Sequence, residues 1–159
     1  MRIKEGPKLP LPQEVDIYLY STSKELNDAL GQKGIPVSES AKEIIDELEM
    51  SCSRKLINPH LVYPKDLGFT CRVPYKDIVS KAEVLGYKPC PAILGPYLAL
   101  TYPIHRWNYS ITIASELIFL DGYGSLFEII FKRGRIELEA GPCTLNSRLE
   151  HKSAFVFIK

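Results

Sequence analysis

The chain is poor in the residues that most often announce a chemistry. Its 159 residues include one Trp, two Met, three His and four Cys. His60, His105 and His151 lie far apart in sequence, so they form no local metal motif. Cys52, Cys71, Cys90 and Cys143 never approach the C-x₂₋₄-C spacing of a structural zinc site. No sign of charge dominates: 20 Lys+Arg face 19 Asp+Glu, a net charge of +1. That excludes a globally basic nucleic-acid binder and a strongly acidic solvating protein. No apolar run reaches the roughly 18 residues that a membrane-spanning helix needs. The opening stretch MRIKEGPKLPLPQEV lacks the apolar core of a secretory signal, so a cytoplasmic location with reduced thiols is expected. GxxxxGK[ST], GxGxxG, HExxH, GxSxG and the EF-hand loop are all missing, and no metal or cofactor is expected.

What is present is the composition of an ordinary folded protein, with 45% hydrophobic and 25% charged residues. The expected organisation is a Pro-rich extended arm over residues 1–14, then one α+β domain over 15–159. Pro7, Pro10 and Pro12 each fix φ and remove a donor, and Leu9 and Leu11 are candidate anchors on the arm.

Val15 to Tyr20 is apolar and aromatic and reads as a strand. Thr22-x-x-Glu25 is a capping box that opens a helix running to about Leu30. Ser40-x-x-Glu43 is a second one, followed by the apolar stripe Ala41, Ile44, Ile45, Leu48 and Cys52. The outer face of that helix is acidic, with Glu39, Glu43, Asp46, Glu47 and Glu49. The next stretch is basic, with Arg54, Lys55, Lys65, Arg72 and Lys76, which predicts an internal electrostatic match between the two. Pro74 suits the first turn of a third helix whose apolar face is Tyr75, Ile78, Ala82 and Leu85, stopped by Gly86.

The period then changes to two. Tyr97 to Tyr102 reads as a strand, and Tyr109, Ile111 and Ile113 alternate with polar residues in the next. Glu116 to Leu120 continues or bends that strand, and Asp121-Gly122-Tyr123-Gly124 is a turn. Leu126–Phe131 and Arg135–Ala140 form a hairpin around Lys132-Arg133-Gly134, and Ala154–Ile158 closes the chain. These readings predict an antiparallel sheet of about four to six strands with about three helices, mostly in the N-terminal half, packed on one face.

Two places attract a functional reading. The connection Pro103–Asn108 gathers His105, Arg106 and Trp107 between Tyr102 and Tyr109, and Trp and Arg are the residue types that dominate interface energetics. In Lys88–Pro96, Pro91 suits a one-turn helix ended by Gly95. Cys90 would be its N-cap, where aligned N–H dipoles favour a reactive thiolate. The plainer alternative is a small buried Cys90 between prolines that fix a bend.

The run LGF (67–69), Tyr75, Ile78, Ala82, Leu85-Gly86, then Cys90-Pro91, Gly95-Pro96, Leu98, Leu100 and Tyr102 resembles a loose group of small uncharacterised bacterial proteins. Trp107, Asp121-Gly122 and Phe127 continue that pattern. The resemblance covers about the middle half of the chain, implies a bacterial or mobile-element origin and one α+β domain, and carries no activity.

The function expected from these residues is a non-catalytic binding or interaction module for a protein or small molecule, acting through Trp107, His105, Arg106, Tyr102 and Tyr109. The alternatives are an enzyme using Cys90 or a spatially assembled site, and a weak nucleic-acid binder using the basic segment. A homodimer through an open sheet edge is also expected as an option.

Overall fold

The computed structural model describes residues 11–51, 53–102 and 108–159. The chain enters on a short ribbon, β1 (Val15–Ile17) against β2 (Lys55–Ile57), with Asp16 opposite Leu56. β1 stops three residues before the predicted Tyr20, because Tyr18 takes φ +64, a left-handed conformation that ends a strand.

Two helices intervene. α1 (Ser23–Gln32) begins as expected: Thr22 Oγ1 accepts from Glu25 N at 3.2 Å, and Glu25 reaches back to accept from Ser21 N at 2.7 Å. α2 (Glu39–Glu47) is capped two residues earlier than predicted. Ser38, not Ser40, accepts from Ala41 N at 3.2 Å. The reason is tertiary. Ser38 N donates to Leu138 O, and Pro36 O accepts from Leu138 N, so the chain is held extended up to Ser38. Ala41, Ile44 and Ile45 are buried as the stripe requires, but the helix ends before Cys52, which lies outside the described residues.

The main sheet contains β3 (Pro59–Val62), β5 (Tyr109–Ile113), β6 (Ile118–Leu120), β7 (Tyr123–Lys132), β8 (Arg135–Pro142) and β10 (Ala154–Ile158). Its hairpins follow the sequence reading. Asp121 and Gly122 (φ +50 and +81) turn β6 into β7, and Arg133 and Gly134 (φ +51 and +74) turn β7 into β8. Both pairs match the tight turn that needs two positive φ values. The sheet is not purely antiparallel as expected: β10 runs parallel to β5, with Phe155 opposite Thr112. A further ribbon pairs β4 (Val73–Pro74) with β9 (Arg148–Leu149), and a 3₁₀ turn covers Pro64–Leu67.

The helices are not confined to one face. Along β10, Ala154 and Val156 join a core with α1, α2 and α4 (Leu94–Thr101), whereas Phe155 and Phe157 join a second core with Tyr75, Ile78 and Ala82 of α3 (Tyr75–Val84). Helical layers therefore sit on both sides of the sheet at β10, and AFVFI is a continuous apolar run because both of its faces are covered. Leu85, expected in the apolar face of α3, is the C-cap just beyond the helix and is 50% exposed. Leu11 of the N-terminal stretch packs against the first core.

The largest departure is α4. Its segment, predicted as a strand from Tyr97 to Tyr102, is a helix with Leu94 to Ala99 all buried. A short run apolar on every side satisfies either period, so alternation cannot decide it. Packing does. The helix is buried between α1, β1, β7 and β8, and Gly95 lets it press onto Phe127. Among the described residues, no helix is long and apolar enough to cross a membrane.

Candidate functional site

β5 and β6 share one edge of β7. Thr112 pairs with Glu128 and Ile118 with Ser125, and the residues between them leave the ladder. That bend interrupts the period-two pattern at Ala114–Leu117, and the backbone groups it releases find a new partner. The segment after α3 crosses here from one face of the sheet to the other. Lys88 N donates to Ile158 O at 2.7 Å and accepts back through Lys88 O at 3.0 Å, and Cys90 N donates to Ala114 O at 2.6 Å. The crossing chain is thus inserted between the diverging ends of β10 and β5.

A cleft of about 690 Å³ opens at this seam. Cys90 and Ser115 form its floor, Pro89, Pro91 and Ala92 one wall, and Leu117, Ile118 and Phe119 the other. Glu83, from α3, and Glu116 stand at its mouth, both exposed. Phe119 is 68% exposed, a large apolar surface left in water beside a cavity.

The floor chemistry is specific. Cys90 is buried and its thiol donates to Val156 O at 3.1 Å. Burial pushes that thiol up from 9.0 to about 12. The predicted N-cap role is incorrect: Ile93 precedes α4, and Cys90 sits in a bridge with Ser115 instead of at a helix end. The thiol is therefore protonated at neutral pH and lacks the dipole that would have activated it. Ser115 is the one buried polar side chain among the described residues. Its hydroxyl donates to Glu116 O at 2.8 Å, and its own carbonyl accepts from Tyr75 Oη at 2.7 Å. The sequence reading missed Ser115, Glu116 and Glu83; the break in alternation at Ala114 was the available signal.

At the other end of β5 lies Tyr109, one of the predicted binding residues. His105, Arg106 and Trp107 fall outside the described residues. The flanking Tyr102 and Tyr109 are brought together on Phe131, with ring centroids at 4.8 and 6.1 Å. Tyr102 is buried, so its ring is core material. Tyr109 Oη lies 3.1 Å from Tyr63 Oη, an unpredicted partner, and burial raises the pKa of both Tyr102 and Tyr109. Tyr109 also lines a shallow groove of about 400 Å³ with Ser110, Glu128 and Lys132.

The remaining candidates disperse. Arg54 pairs with Asp16, and Arg72 with Glu150 at 3.0 Å. Neither acid is on α2, so these two arginines do not make the predicted match with the acidic helix. His60 packs edge-on against Tyr87, and no group of three His, Cys, Asp or Glu among the described residues could hold a metal. No family model, curated protein or solved structure matches the chain.

Proposed function

We propose that this chain is a non-catalytic binding module whose site is the cleft between Cys90 and Phe119. One observation carries the reading. The two nucleophile-bearing side chains on the floor, Cys90 and Ser115, already donate to the carbonyls of Val156 and Glu116. Activation of either would break a hydrogen bond that the folded chain already makes, at about 0.5–1.5 kcal/mol. A concave space that combines apolar surface with a few fixed polar groups suits ligand capture, and its size falls in the ordinary range of small-ligand sites. A reducing compartment such as the cytosol fits the free thiols of Cys71, Cys90 and Cys143.

The test is a fragment screen by protein-observed NMR on the full chain. Binders should shift the amides of Ala92, Ser115 and Phe119. Ala92→Phe, which puts a phenyl group into the cleft from a half-buried position, should abolish those shifts while leaving the melting curve within a few degrees. Hits that ignore Ala92→Phe would remove the cleft from the proposal.

A second reading places partner binding at the Tyr109 end. The observation in its favour is the groove beside Tyr109, whose lining includes Asn108, the residue that follows Trp107 in sequence. Fragment shifts confined to Ser110, Glu128 and Lys132, and lost in Trp107→Ala, would select it over the cleft.

A further inference from the structure

We propose that the ligand of the Cys90–Phe119 cleft is a small organic cation: an ammonium or amidinium head carrying an alkyl or aryl arm. The inference rests on the cleft being a binding site and names the chemistry it selects.

The charge pattern is one-sided. Among the described residues the lining holds two carboxylates, Glu83 and Glu116, and no basic side chain. Neither carboxylate is in an ion pair among the described residues, whose bridges are Lys24–Asp28, Arg54–Asp16 and Arg72–Glu150. These two carboxylates line one cavity whose lining holds no cation to offset them. An anionic ligand would meet like charge at the mouth.

The floor has the same polarity. The hydroxyl of Ser115 and the thiol of Cys90 have each committed their proton to a backbone carbonyl. What Ser115 still offers is oxygen lone pairs, and a hydroxyl has two of them. Carboxylates at the mouth and an acceptor on the floor recognise a ligand that donates.

The walls set the rest of the ligand. Pro91 and Leu117 offer apolar surface, and the exposed ring of Phe119 can receive a cation on its face or an apolar arm along it. The cleft's volume, about 690 Å³, accommodates one small molecule.

The experiment uses three probes of one shape on the full chain: phenethylammonium, 2-phenylethanol and 3-phenylpropionate, titrated by NMR and calorimetry. Phenethylammonium should bind about tenfold or more tightly than the alcohol, a difference of about 1.4 kcal/mol, and the carboxylate should show no binding. Glu83→Gln and Glu116→Gln change exposed positions, so they should fold normally. Each should weaken the amine about threefold or more, leave the alcohol unchanged, and reduce the salt sensitivity of amine binding. The proposal is overturned if amine and alcohol bind equally, or if the double Gln variant retains full amine affinity. In either case, alcohol binding that Ala92→Phe abolishes would leave the cleft standing as a neutral site. If none of the three probes shifts the cleft amides, the cation proposal and the binding-site reading fall together.

Discussion

Replacing glycine by alanine should change stability in opposite directions at two helical positions, and the contrast tests how α4 is seated. At Gly95 an added Cβ would lie 2.8 Å from Phe127 Cβ, 3.0 Å from Cγ and 3.1 Å from Cδ2. Carbon pairs settle at about 3.5–4.0 Å, so three contacts overlap at once. Phe127 cannot yield easily: it is fully buried, and its Cβ is fixed to the middle of β7, which pairs on both edges. Overpacking of this kind costs about 1–3 kcal/mol, against a gain of about 1 kcal/mol from helix propensity. Contact below 3.0 Å at a backbone-anchored atom puts the cost in the upper part of that range, for a net loss of about 1–2 kcal/mol. At Gly31, in α1, an added Cβ meets nothing within 4 Å, and the same substitution should add about 0.5–1 kcal/mol. A chain of this length shifts by about 2–4 °C per kcal/mol, so the two variants should melt about 3–12 °C apart, on opposite sides of the unmodified protein. Thermal melts followed by circular dichroism, checked by urea titration, decide it. If Gly95→Ala melts at or above the unmodified chain, α4 does not rest on Phe127, and the helical placement of residues 94–101 is wrong.

Other expectations follow from local geometry. Ser38→Ala should cost about 1 kcal/mol in a urea titration through loss of the α2 cap, whereas Ser40→Ala should change little; equal effects would contradict the observed helix start. The exposed Cys71 should alkylate rapidly in the native protein and Cys90 only on unfolding, as read by peptide mass spectrometry; native alkylation of Cys90 at neutral pH would refute its burial. The folded pKa of Cys90, about 12, exceeds its ordinary 9.0, so the folded chain retains a proton that the unfolded chain releases between those values. Stability from this group is complete below about pH 9 and falls as pH rises, by at most ~1.4 kcal/mol per pH unit. Cys90→Ala should flatten the slope of stability against pH between about 9 and 10, before the raised tyrosines contribute; an unchanged slope would show that the thiol is not desolvated.

Features encoded by neighbouring residues were legible. Thr22-x-x-Glu25 caps α1, the Asp121-Gly122 and Arg133-Gly134 pairs turn their hairpins, and Ile111 and Ile113 face inward as their alternation requires. What failed depended on distant partners. β3 carries Pro59 at its start and is followed by Pro64, so its composition argues against a strand, yet Pro59 occupies an edge position where a missing N–H is tolerated. The parallel pairing of β5 with β10 joins residues too far apart for any local pattern to express. The continuous run AFVFI did carry the information that both faces of the sheet are covered. Half-buried strands alternate; this one does not, and α3 on the second face is the consequence.

The cleft has the same origin. A chain that leaves α3 on one face of the sheet and enters α4 on the other must cross the ladder, and a crossing through an intact ladder would orphan buried N–H and C=O groups. The bend after Ile113 solves this by freeing Ala114 O for Cys90 N while Ile158 takes Lys88. The crossing segment can only be made of residues that tolerate such confinement, and Pro89, Cys90, Pro91 and Ala92 are small or lack an N–H. Those same residues are too small to fill the space between α3 and β6. The cavity beside Cys90 is therefore a consequence of the topology, and what gives it chemical character is the pair of carboxylates, Glu83 and Glu116, that α3 and the bend after β5 bring to its mouth.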